Sequence, residues 1–221
     1  MPERSVPNGP VSAVLPTTPA GVVAAVVSLI TARSGRIRVI VDGAPAAAPD
    51  DLASRVVAAL APRRALHVRA DRFWRPASLR LERGHEDPDV WLDGWLDDDA
   101  LRREVLDPFP VTGRALPELR DPVTDRSVRA AAVELPSDGV VVVSGSALLG
   151  RGLPFDVAVH VRLTRAALIR RTPRSHAWTL PALDRYETER NPQDLADLVV
   201  RADDPQHPAL AFPKVAEGRA P

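Results

Sequence analysis

The chain has 221 residues, with 29 basic and 29 acidic side chains and a formal net charge of zero, a length that suits one α/β domain with a full core and is short for two domains and a linker. Balanced charge offers no electrostatic footprint for nucleic acid or an anionic membrane, so neither partner is expected, and the oligomeric state is left open. With no cysteine, a disulfide framework, a thiolate nucleophile and a Cys-ligated metal are all excluded, and a cytoplasmic setting is expected.

Residues 1–18 carry Pro2, Pro7, Pro10 and Pro16 with little periodicity, which predicts a loosely docked arm. Thr18-Pro19 supplies a helix cap and a proline at the first helical position, and an apolar helix is expected to run on to Ile30 and cover one edge of a sheet. The apolar run from Gly21 to Ile30 falls short of the ~20 residues a membrane span needs, and without a basic stretch leading into it no signal peptide is expected. Ile37 to Val41 is a continuous β-branched run of the kind found in strands buried on both faces. It leads through Asp42-Gly43 into a tight loop and then into a helix with Leu52, Val56, Val57 and Leu60 at helical spacing, ended by Pro62.

A strand followed by a glycine turn and a helix start is the frame of a phosphate-binding loop. A working loop, G-x-x-x-x-G-K-[ST], needs a second glycine, a lysine and a hydroxyl; counted from Gly43, those places hold Ala48, Pro49 and Asp50. The single lysine of the chain is Lys214, near the far end. Asp50 and Asp51 read equally well as carboxylates that cap a helix start, where the helix dipole favours them.

Leu66-His67-Val68 predicts a second strand, followed by Asp71-Arg72-Phe73-Trp74-Arg75-Pro76. Residues 77–93 are polar and proline-interrupted, Trp91 and Trp95 read as anchors, and Leu96, Leu101 and Val105 mark a helix. Between Pro108 and Pro136 the chain is irregular, with a hairpin expected around Arg114 to Val133; a long stretch of this kind is more often a binding loop than filler. Strands are expected at Gly139 to Gly145, Ala158 to Leu163 and Leu198 to Val200, with helices at Arg165 to Arg171 and Leu183 to Arg190. Alternation at this spacing predicts an α/β fold with a parallel sheet of about five strands and helices on both faces. The domain is expected to span 19–205, with a tail at 206–221. His67 and His160 fall in strands and read as satisfied core or edge histidines. His85-Glu86 lacks the second histidine of a zinc motif, and Ser144-Gly145-Ser146 does not make a G-x-S-x-G elbow.

The order of these motifs resembles the uridine kinase family of P-loop nucleoside kinases over about residues 35–205. The likeness rests on Asp42-Gly43 after the first strand, Asp71-x-Phe73-Trp74-Arg75-Pro76, Leu101 to Pro108, Asp121-x-x-Thr124-Asp125-Arg126, Val140 to Leu149, Arg185-Tyr186-Glu187 with Arg190-Asn191-Pro192, and Asp197 to Val200. It implies a P-loop NTPase-like fold, ATP and Mg as cofactors, and transfer of a phosphoryl group to a nucleoside 5′-hydroxyl. In that frame Asp71 is the catalytic base, Phe73, Trp74, Asp93 and Arg126 contact the nucleoside, and Arg170, Arg171 and Arg190 belong to a lid. Gly43, Ala48, Pro49 and Asp50 form a degenerate phosphate loop, and the strand that would end in an acidic metal partner ends in Ser144. No metal-ligating residue is therefore expected, and a nucleoside-binding or scaffold protein without catalysis is the alternative. By itself Asp71 also reads as a solvated carboxylate or an ion-pair partner of Arg69, Arg72 or Arg75. Phe73 and Trp74 also read as packing residues, and Arg170-Arg171 as dipole-favoured charges at a helix end.

Overall fold

The computed structural model describes residues 14–213; the expected arm before Val14 and the tail from Lys214 on lie outside them. The strands are β1 (Val14–Pro16), β2 (Ile37–Gly43), β3 (Ala65–Arg69), β4 (Arg114–Ala115), β5 (Val133–Glu134), β6 (Val140–Gly145), β7 (Val157–Arg162), β8 (Leu198–Arg201) and β9 (Ala209–Ala211). Seven of them form one sheet in the order β1-β9-β8-β7-β2-β6-β3. The expectation of about five strands is corrected to seven. Five are parallel, and β9 and β1 add antiparallel at one edge. These two strands are three residues each and proline-flanked, too short to give a periodic signal. Residues expected in the arm and tail thus complete the sheet on both sides of 19–205. The hairpin expected between Arg114 and Val133 closes as the short β4–β5 ladder.

Side chains alternate across the sheet, so β2 feeds two cores. Val39 and Val41 face α1 (Pro19–Thr31) and α2 (Pro49–Ala59), packing with Val26, Ile30, Leu52 and Val56. Helix α1 covers a face beside α2 rather than the expected edge. Ile40, on the other side, packs with Phe73, Leu92, Leu101, Leu106, Phe109 and Tyr186. That second layer is built from short helices: α4 (Pro88–Gly94), α5 (Asp98–Leu101), α6 (Phe109–Thr112), α8 (Leu180–Arg190) and α9 (Pro192–Leu195), while α3 (Ala77–Arg80) packs on α4 and α7 (Arg165–Arg171) lies against the turn after β2. A wide turn at Arg102–Leu106 continues α5.

A polar network penetrates this apolar interior. Asp42, fully buried, lies beside His160 in the β2–β7 register and receives hydrogen bonds from the Leu148 N–H (2.7 Å) and the Tyr186 hydroxyl (2.9 Å), with His160 Nδ1 at 2.7 Å. His160 Nε2 faces Glu187 at 3.3 Å. Burial alone would push His160 down, but hydrogen bonds and charge from Asp42 and Glu187 outweigh it and the imidazole is raised from 6.5 to about 9. Burial and the Asp42 charge push the Tyr186 hydroxyl up, so it stays protonated and donates. The network ties β2, β7, α8 and the turn after β6 to one carboxylate; His160 is a core histidine as expected from its strand, but only its Nδ1 is well hydrogen-bonded, Nε2 having the charge of Glu187 opposite it without a well-aligned hydrogen bond.

A folded pKa above the unfolded value means that the His160 contribution is fully present below pH ~6.5 and is lost as pH rises toward about 9. Urea titrations should therefore show stability falling by about 3 kcal/mol across that window. His160→Gln should remove most of the slope and lower stability at pH 6 by about 3 kcal/mol, because it leaves Asp42 buried without its charged partner.

Candidate functional site

The parallel strands β2, β3 and β6 end at one cleft of about 750 Å³, the position where open α/β sheets bind ligands. Its floor is the loop after β2. A side chain at Gly43 would meet the Val161 carbonyl at 2.8 Å, so only glycine allows β7 to pack this closely. After a turn at Pro45–Ala47, Ala48 takes a left-handed conformation (φ 53°, ψ 54°) and Pro49 opens α2. Alanine thus adopts the geometry for which glycine is the usual residue, and the next side chains are Pro49 and Asp50, in the first turn of α2.

Asp50 is engaged by the protein itself. Ser144 Oγ donates to Asp50 Oδ1 (2.5 Å), and Arg69 Nε lies 3.4 Å from Oδ2. His67 Nε2 is 2.7 Å from the same serine oxygen, and Ser54 Oγ is 3.2 Å from His67 Nδ1. Burial lowers His67 below its ordinary value despite the Asp50 charge. Neutral His67 then donates from Nε2 to Ser144 and accepts from Ser54, so every group in the chain is paired. Arg69 reaches further, donating to Asp71 in the cleft wall (Nε–Oδ1 3.2 Å, Nη2–Oδ2 2.5 Å), and these bonds raise the guanidinium above its ordinary value.

The opposite wall is aromatic. All four tryptophans of the chain, Trp74, Trp91, Trp95 and Trp178, line the cleft. An antiparallel bridge joins Trp74 to Leu96, with hydrogen bonds from Arg75 N–H to the Trp95 carbonyl and from Asp97 N–H to the Phe73 carbonyl. This brings the Trp74 and Trp95 rings to 4.9 Å at 77°, and Trp178 stands 6.0 Å from Trp95. Arg80, only 5% exposed, lies against both rings, 5.1 Å from Trp74 and 4.8 Å from Trp95. Hydrogen bonds to the Arg75 carbonyl (2.7 Å) and Asp125 (3.2 Å) hold it there.

Of the residues expected from the sequence, Ala48, Pro49, Asp50, Asp71, Trp74 and Arg171 line this cleft, with Gly43 packed beneath its floor. Phe73 does not line it: it is fully buried and belongs to the core, because the helical turn at Ala70–Phe73 rolls its side chain inward before the backbone becomes extended again at Trp74. Asp93 sits on the outer side of α4 and pairs with Arg185 and Arg190, which takes Arg190 away from the cleft as well. Arg170 is exposed at the end of α7, and Arg126 is exposed on the loop beyond β4, where its carbonyl accepts from the Asp121 N–H. None of these four is among the cleft walls. Sequence reasoning missed Arg69 and His176 as wall residues, Trp91, Trp95 and Trp178 as one group, and the Ser144–His67 chain. The rarity of tryptophan was the one available signal, and it carries no information about convergence.

Solved structures similar to this chain include three that each overlap most of it. A possible uridine kinase from Bacillus stearothermophilus superposes with a TM-score of 0.67 at 17% identity, covering 81% of this chain and 97% of that one. A candidate fructose transport system kinase from Silicibacter sp. TM1040 gives 0.61 at 21% identity, with 77% and 94% covered. The YGR205w protein gives 0.53 at 11% identity, with 82% and 92% covered. The chain has the fold of P-loop kinases of this kind. No protein-family model matches it, and no curated protein does. Among the described residues no helix is long and apolar enough to cross a membrane, and no group of three or more His, Asp or Glu is placed to hold a metal ion.

Arg80→Met should loosen the Trp74–Trp95 pair. The expected result is a red-shifted tryptophan emission, a weaker near-ultraviolet dichroism and a stability loss of about 2 kcal/mol in urea, from the lost cation–π contacts and the unpaired Arg75 carbonyl.

Proposed function

We propose that this is a uridine kinase-like cytoplasmic protein that has lost ATP binding and retains a cleft for a nucleoside-like ligand. The observation that carries the reading is the Asp50 carboxylate, engaged by Ser144 and Arg69 at the start of α2, the place where a P-loop kinase seats phosphate. ATP and Mg come into view through the fold, and the residues present do not fit them. Pro49 has no N–H to donate, no lysine lines the cleft among the described residues, and no hydroxyl stands at position 50. Asp50 and Asp51 would face the phosphates. At ~4 Å two like charges repel by roughly 4 kcal/mol at an effective dielectric of 20, which offsets much of what the remaining backbone donors could supply.

On the nucleoside side Asp71 and Trp74 line the cleft, while Phe73, Asp93 and Arg126 do not. Trp74 and its neighbours offer ring faces for a planar base, and Asp71 offers an acceptor for a sugar hydroxyl across the cleft. The rival reading is an active nucleoside kinase with Asp71 as general base and Arg171 as a clamp. It draws support from Asp71 lying in the cleft beside the retained turn at Ala48.

Thermal-shift and calorimetric titrations separate the two. Mg-ATP should leave the protein unshifted, whereas a bound nucleoside at 100 times its Kd should stabilise by ~2.7 kcal/mol, with affinity reduced about tenfold or more by Asp71→Asn. Replacing Ala48, Pro49 and Asp50 together by Gly, Lys and Thr should introduce measurable ATP affinity. Tight Mg-ATP binding by the unmodified chain, with nucleoside phosphorylation abolished by Asp71→Asn, would establish the rival.

A further inference from the structure

The cleft walls carry a charge pattern opposite to that of a nucleotide site. Three carboxylates, Asp50, Asp51 and Asp71, face two guanidiniums, Arg69 and Arg171, which leaves one formal negative charge. Both guanidiniums are already engaged: Arg69 is shared between Asp71 and Asp50, and Arg171 Nη1 donates to the Ala202 carbonyl at 2.8 Å. The remaining large walls are the four indoles. An indole face carries negative electrostatic potential and is the most favourable aromatic surface for a cation. The protein already uses this property, since the Arg80 guanidinium packs against Trp74 and Trp95 without itself being a wall of the cavity.

We infer that the cleft selects a positively charged ligand, namely a nucleoside whose base bears a fixed positive charge, over the neutral nucleoside and over its phosphate ester. The inference rests on the nucleoside reading given above and adds the charge class of the ligand. A cationic base gains from the indole walls and from the uncompensated carboxylate, whereas a phosphate gains from neither and meets Asp50 and Asp51 at the start of α2. Asp51 is exposed on the first turn of that helix, so its charge can be removed without opening the Asp50–Ser144 bond.

The test is calorimetry on the full chain at pH 7 without magnesium, using adenosine, 1-methyladenosine, AMP and phenyltrimethylammonium. 1-Methyladenosine carries a positive charge under these conditions and should bind about threefold to thirtyfold more tightly than adenosine, with quenching of tryptophan emission. AMP should bind more weakly than adenosine, and Asp51→Asn should narrow the ratio between the methylated and unmethylated nucleosides. Adenosine binding as tightly as 1-methyladenosine, or AMP binding most tightly, would overturn the charge preference and leave the nucleoside reading standing. Binding of phenyltrimethylammonium with no nucleoside bound would uphold the preference for a cation and remove the nucleoside reading. Failure of all four compounds to bind would overturn both.

Discussion

The Asp42 carboxylate is the constraint on which the geometry of the cleft depends. A buried ionised group persists only when its lone pairs are filled and its charge is balanced. Meeting that demand requires the backbone at Leu148, the imidazole of His160 and the phenol of Tyr186 to converge on one point. Leu148 fixes the turn that presents Gly145 and Ser146 to the cleft, and Tyr186 fixes the helix that presents Leu183. A purely apolar substitute could fill the volume but would not select this arrangement, because dispersion has little directional preference.

Above that network, the loop after β2 is set by close backbone packing and a helix start. Gly43 is held to glycine by the approach of the Val161 carbonyl, and Ala48 keeps a left-handed turn at a steric cost that glycine would avoid. The helix start still has its positive dipole end, and that end is met by Asp50 and Asp51. A carboxylate belonging to the chain needs no ligand to neutralise the dipole, and Ser144 and Arg69 hold Asp50 there.

The aromatic wall has a different origin. Its rings come from the segment after β3, from α4 and the turn that follows it, and from the turn after α7, and no two of them are neighbours in sequence. Their mutual orientation comes from the Trp74–Leu96 bridge and from Arg80 packed behind two rings. Rings held in this way lose little conformational freedom on binding, which favours a flat ligand over a flexible one. The ion pairs of Arg185 and Arg190 with Asp93, and of Arg185 with Asp89, join α8 to α4 outside the cleft, so residues read as nucleotide contacts serve to hold two of its walls together.

By itself the sequence determined the β2 strand, its glycine turn, the helix that follows and the order of the five parallel strands along the chain, because these follow from β-branched runs, helical spacing and caps acting over a few residues. It also determined what the loop lacks, since the missing lysine and hydroxyl are matters of residue identity. Only the tertiary structure decided that Ser144 meets Asp50, 94 residues away, that β1 and β9 close the sheet edge, that Phe73 turns inward while Trp74 turns outward, and that four tryptophans share one cavity. Those outcomes depend on strand order and helix placement. Local propensity carries no term for two side chains brought together by the sheet, so the charge character of the cleft emerges only when the elements pack.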